Sequence, residues 1–118
     1  MKKTLSRLPR VVRLAALSAV LLALCSKSSP LYAFNDWMDA NIFFTMGRSM
    51  LGGRVLYRDV FGHKGPVLYL LYGLAGLVGG TDFRGVLVLE IIAMTSFLYT
   101  GLRTAELLAG RRLSVWWM

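Results

Sequence analysis

Cysteine is nearly absent from this chain, histidine likewise, and acids are few. One Cys and one His in 118 residues rule out a disulfide framework within the chain and are too few for a closed structural zinc site. Only 6 Asp and Glu stand against 14 Lys and Arg, a formal charge of +8. Charged residues of both signs make up 17%, where a water-soluble domain carries about 25%. Nothing in the chain resembles a phosphate-binding glycine loop, a nucleotide-sugar site or a hydrolase triad. What is present is apolar: 56% of residues are hydrophobic and the mean hydropathy is +0.56. So much apolar sequence in so short a chain points to lipid, rather than a private core, as its cover. A basic excess of this size also suits a nucleic-acid binder. Here, however, the basic residues stand at the ends of apolar runs instead of forming one stripe among polar residues. The reading is a membrane protein with the bilayer as partner and no nucleic acid.

Three apolar segments predict an all-α, polytopic protein with about three transmembrane helices. The first span covers residues 11–26, "VVRLAALSAVLLALCS", after a basic start at residues 1–10 that includes Lys2, Lys3, Arg7 and Arg10. By the positive-inside rule this start is cytoplasmic and the span runs outward, which predicts a multi-pass protein of the plasma (inner) membrane. The rival reading is a cleaved secretory signal. Against it, Leu31 stands where the "LYA" site needs a small residue, and the bulky Leu24 precedes Cys25 in the lipoprotein-like "LALC".

The second span, residues 66–83, opens with Pro66. Its apolar part, residues 66–80, covers about 22 Å, short of a hydrocarbon core of about 30 Å. It therefore extends at an end, thins the membrane locally, or re-enters. Gly73, Gly76, Gly79 and Gly80 suit close approach by another helix. The third span, residues 86–110, carries Glu90 about one turn inside, read as a snorkelling or capping acid although an ionisable group in a span is a functional candidate by default. Arg103, Arg111 and Arg112 follow at its far end. With three crossings those arginines fall outside, against the positive-inside expectation.

Between the first two spans lies an external loop, residues 27–65. It holds "NDWMDANIFFTMGRSMLGG", which predicts a helix over 36–51 with Asn35 or Asp36 as N-cap, Asp39 in the first turn, and Gly52-Gly53 as the stop. Trp37, Ile42, Phe43, Phe44, Met46 and Met50 suit a helix lying in the membrane interface. Helical spacing sets Asp36, Asp39 and Phe43 along one side, with Met46 and Met50 continuing the row. A cationic cluster follows, Arg54, Arg58, His63 and Lys64, with Asp59 inside it. Acids at a helix start and cations beside a span also have ordinary roles in capping and anchoring, and spacing alone does not choose between these and chemistry. Tyr57, Tyr69 and Tyr72 read as interface aromatics.

The stretch "NDWMDANIFFTMGRSMLGGRVLYRDVFGHKGPVLYLLYG" resembles the first external loop and second span of C-type membrane glycosyltransferases, enzymes that use polyprenyl-phosphate sugars and include the protein O-mannosyltransferases and lipid A aminoarabinose transferases. Asp39, Phe43 and Met50 match the family's acid, aromatic and Met on the loop helix. His63-Lys64-Gly65-Pro66 matches its basic-proline motif at the next span. Two departures stand: Ala40 follows Asp39 where the family often pairs two acids, and Gly65 replaces the first proline. The resemblance covers roughly residues 10–112. It implies transfer of a sugar from a polyprenyl-phosphate donor to an acceptor hydroxyl, with Asp39 as base and Asp36 as the alternative. It further implies Lys64, then Arg58, as contacts to the lipid phosphate, His63 as a lesser substrate contact, and no firm cofactor, a divalent metal near His63 being a minor alternative. Relatives use about a dozen helices. The 118 residues therefore read as the N-terminal portion of a larger enzyme, expected to be inactive without its remaining helices. The competing class is a small non-enzymatic membrane protein or accessory subunit, which would need neither Asp39 nor Lys64.

Overall fold

The computed structural model describes residues 9–113. Among these the chain is all-helical, with four helices: α1 (Arg10–Cys25), α2 (Met38–Leu51), α3 (Pro66–Gly79) and α4 (Arg84–Ala109). Among the described residues, only α4, with 26 residues, is long and apolar enough by itself to cross a membrane. At 1.5 Å per residue it reaches about 39 Å. Three of its hydroxyls are satisfied within the helix: Thr95, Ser96 and Thr100 donate to the carbonyls of Ile91, Ile92 and Ser96, which lowers the cost of carrying them on an apolar helix. Of the three spans expected, α3 has 14 residues and α1 has 16. Backbone bonds from Arg13 to Pro9 and from Ser26 to Leu22 lengthen α1 to about 27 Å. Lys2, Lys3 and Arg7, on which the cytoplasmic start was read, lie outside the described residues.

The fold falls into two units. One joins the N-terminal part of α1 to the C-terminal part of α4. Leu14, Ser18 and Leu102 are buried in it, and Glu106 sits at its end. Arg10 approaches the Glu106 carboxylate to 2.8 Å, Arg103 to 3.0 Å, and the Leu113 N–H donates to it at 3.0 Å. Arg10 also donates to the Leu113 carbonyl at 3.3 Å. With its side chain only 5% exposed, Glu106 has its charge met on several sides, as burial requires.

The other unit is Leu21–Glu90, and its core is the crossing of α2 over α3. At that crossing Gly47 and Gly73 touch backbone to backbone: a Cβ on Gly47 would overlap the Tyr69 carbonyl and Gly73 itself. Two apolar clusters flank the contact. Phe43, Met46 and Tyr69 form one, filled out by Met50, Leu56, Val60 and Leu68; Phe44, Ala75 and Val86 form the other. Aromatic geometry fixes both, with Phe43 edge-on to Tyr72 at 5.5 Å and Phe44 stacked on Phe83 at 4.9 Å. The loop helix read as interfacial thus spends its Phe43, Phe44 and Met46 face on α3, while Trp37, Met38 and Ile42 stay exposed.

Three local expectations change. Helix α2 begins at Met38, two residues later than predicted, with Trp37 at the N-cap position and no side-chain cap. Asn35 instead accepts the Trp37 N–H in a turn just before the helix, and Asp36 lies beside Lys27 at 3.5 Å. Glu90 neither snorkels nor caps: Ser26 and Ser28 donate to its two oxygens at 2.6 and 2.9 Å. The C-terminus of α2 is as expected, because Gly53, at φ 85°, adopts the left-handed conformation that lets its N–H reach Met50 and the Arg54 N–H reach Ser49. This is the paired bonding of a Schellman motif, and it turns the chain into the cationic loop.

Candidate active site

The loop from Arg54 to Lys64 is tied down by its own side chains. Tyr57 holds φ at 66°, a left-handed conformation that costs a non-glycine residue about 1–3 kcal/mol and persists only where its surroundings over-determine it. They do so here. The Tyr57 N–H donates to the Val60 carbonyl at 2.8 Å, and its hydroxyl donates to the Lys64 carbonyl at 2.5 Å. The far side of the Lys64 peptide is held as well, because its N–H donates to the Tyr69 hydroxyl at 3.0 Å. Tyr69 is 0% exposed, and its ring tip packs on Gly62, where a Cβ would strike the hydroxyl. Two tyrosines therefore clamp the main chain of Lys64, while its side chain is exposed and makes no ion pair or hydrogen bond among the described residues.

Arg58 is placed differently. Nε and Nη2 bond the two Asp59 oxygens at 2.8 and 3.0 Å, and Asp59 also accepts the Val55 N–H at 2.8 Å. The Arg58 guanidinium, bonded across the carboxylate, holds Asp59 below the usual carboxylate range; the Val55 bond adds to this, and the Arg54 charge less so. The same contact raises Arg58 above its ordinary value. Much of the Arg58 fork is thereby occupied, whereas the Lys64 ammonium is free.

Asp39 stands in the first turn of α2 and is exposed. One helical turn further on, Phe43 meets Tyr69 at 6.0 Å between ring centroids. Tyr69 in turn accepts the Lys64 N–H, but among the described residues no hydrogen bond or ion pair links Asp39 to Lys64. Asp36, the alternative base, is drawn to Lys27. His63 is exposed, and among the described residues no group of three or more His, Cys, Asp or Glu side chains is placed to hold a metal ion. Tyr69, read from sequence as an interface aromatic, is the residue on which the site is built. Gly47 was equally unmarked.

A cleft of about 510 Å³ opens elsewhere in the same unit, with Lys27, Tyr32, Asn35, Asn41, Asp82 and Arg84 in its lining. Both its cations already face acids, Lys27 at 3.5 Å from Asp36 and Arg84 at 3.4 Å from Asp82. Asp39, Arg58, His63 and Lys64 do not line it. Comparison with family models, with curated proteins and with solved structures found no match to this chain.

Proposed function

We propose that this chain is the N-terminal, membrane-embedded portion of a C-type glycosyltransferase of the inner membrane, moving a sugar from a polyprenyl-phosphate donor to an acceptor hydroxyl. The observation that carries the reading is the clamped Lys64 peptide. A strained Tyr57 and a fully buried Tyr69 fix the backbone on both sides of a cation left without a partner. Backbone strain at Tyr57 and a buried Tyr69 hydroxyl, both devoted to presenting one exposed ammonium, serve an anionic ligand better than they serve general anchoring.

The chemistry needs two separated groups. The bond from the anomeric carbon to the phosphate oxygen breaks as the acceptor oxygen bonds that carbon from the other face. A base accepts the acceptor's proton, and a cation offsets the charge that gathers on the departing phosphate. Asp39 takes the first role and Lys64 the second. Because attack and departure occur on opposite faces, the two have no need to touch. Pro66 begins α3 at a position where a missing N–H is harmless, and the helix start adds partial positive charge toward the same anion. In this proposal the N-terminus is cytoplasmic and the Arg54–Lys64 loop external, at the depth of lipid phosphates, a reading supported by the basic residues that precede the first apolar run.

The test is transfer by the full-length polypeptide. Asp39→Asn and Lys64→Ala should each lower the rate by about 100-fold or more while membrane insertion is unchanged. Arg58→Ala should lower it less, since Asp59 occupies that guanidinium. Full activity in both Asp39→Asn and Lys64→Ala would remove the assignment and leave an accessory membrane subunit as the reading.

A further inference from the structure

We propose that the cleft lined by Asn35 and Asn41 is a binding site for a neutral sugar, free or carried on a lipid. The inference rests on the cleft and not on the transfer chemistry above.

The cleft encloses about 510 Å³, within the about 300–1,000 Å³ typical of sites for small molecules. It lies between the segment that links α1 to α2 and the turn that leads from α3 into α4. Two amides in its lining are set in opposite senses. Asn41 Nδ2 donates to the carbonyls of Asn35 and Trp37 at 2.8 and 2.9 Å, which commits both its hydrogens and leaves Oδ1 as an acceptor. Asn35 is the reverse. Its Oδ1 takes the Trp37 N–H at 3.0 Å, while its Nδ2 donates to nothing among the described residues. Only 8% of Asn35 is exposed, and a donor so far buried is ordinarily satisfied. Ser29, 2% exposed and also in the lining, accepts the Leu31 N–H at 3.3 Å and keeps its own hydrogen to give.

Charge and polarity then select the ligand. Lys27 stands 3.5 Å from Asp36 and Arg84 3.4 Å from Asp82. An anion would have to displace a carboxylate from either cation, and a cation would meet both. An apolar ligand would shut the Asn35 donor and the Asn41 acceptor away from water without partners. A hydroxyl donates and accepts at once, as this pairing of a free donor with a free acceptor requires. The exposed Phe34 ring in the lining offers a flat apolar face to the C–H side of a pyranose.

Saturation-transfer NMR on the purified protein in lipid nanodiscs tests this. Methyl α-glucoside, methyl α-mannoside and N-acetylglucosamine serve as free sugars, and diglucosyl diacylglycerol as a lipid-borne one. Sugar protons should saturate in at least one arm. Saturation of a free sugar assigns a soluble ligand, and saturation of the glycolipid alone assigns a headgroup. Asn35→Asp keeps the oxygen that accepts from Trp37 and removes only the amide donor. Thr81→Val removes a lining hydroxyl that makes no bond among the described residues. Each should weaken binding about 3- to 10-fold, the worth of one hydrogen bond, with circular dichroism unchanged. No saturation in either arm, binding unaltered in both variants, or displacement of the sugar by inorganic phosphate would overturn the proposal. Lys64→Ala, which should abolish transfer, leaves this binding unchanged, so the two readings fail separately.

Discussion

The Lys64 amide hydrogen is held by the phenol oxygen of Tyr69, a side chain 0% exposed and set in the middle of the α2–α3 packing. A residue of the helix core thereby dictates the path of a surface loop. Repositioning the loop would mean opening the core.

Tyr69→Phe isolates that bond. The ring still fills its place against Phe43 and Met46, so the helices should stay packed while the loop loosens by about 0.5–1.5 kcal/mol, the net value of one internal hydrogen bond. Limited trypsin digestion after Arg54, Arg58 and Lys64 should accelerate severalfold, with no change in the proteolysis of α2. Equal protection of the loop in both proteins would show that Tyr57 and Gly62 hold it without help.

Gly47→Leu tests the crossing. A side chain there meets the Tyr69 carbonyl and Gly73 backbone rather than a flexible tip, so relief requires the helices to separate. Overpacking of this kind costs about 1–3 kcal/mol, occasionally more. A disulfide trap across α2 and α3 should form in the parent and fail in the variant. Gly52→Ala, outside the crossing and at ordinary contact with its neighbours, serves as the control.

Acid should release the Arg54–Asp59 turn at a lower pH than an ordinary carboxylate would allow. Asp59 titrates below its usual range when folded, chiefly through Arg58. Its stabilising contribution is therefore complete above the unfolded value of about 3.9 and is lost as pH falls through the depressed folded value. The Val55 amide resonance, whose N–H bonds the carboxylate, should shift with a midpoint below about 3.9. In Arg58→Gln that midpoint should rise toward the ordinary value. A midpoint unmoved by the substitution would remove Arg58 as the cause.

Much of this architecture is written in local pattern. Runs of apolar residues bounded by Pro66 and by Gly52-Gly53 mark helix ends because those residues start or stop helices whatever lies nearby, whereas Gly79-Gly80, read as sites of close approach, in fact ends α3. The Arg54–Lys64 cluster and the acid at Asp39 are legible for the same reason. Relationships between distant residues are not. Tyr69 looks like any aromatic near a membrane surface until Gly62 and Lys64 fold over it. Asn35 and Asp36 are both good capping residues by type, and only the course of the preceding loop gives the turn to Asn35 and leaves Asp36 to Lys27. Glu106 carried one available signal, an acid near the end of an apolar run in a chain whose first helix opens with arginine. The partner of that acid is 96 positions away, and no periodicity reports it.

That separation sets an order of events. During synthesis Arg10 leaves the ribosome long before Glu106 exists, so the guanidinium enters or waits at the bilayer surface without its carboxylate. The bond that fastens the beginning of the chain to its later part closes only after everything between them has been made. Assembly of α1 with α4 is accordingly a late step, governed by how quickly a long loop finds its own end.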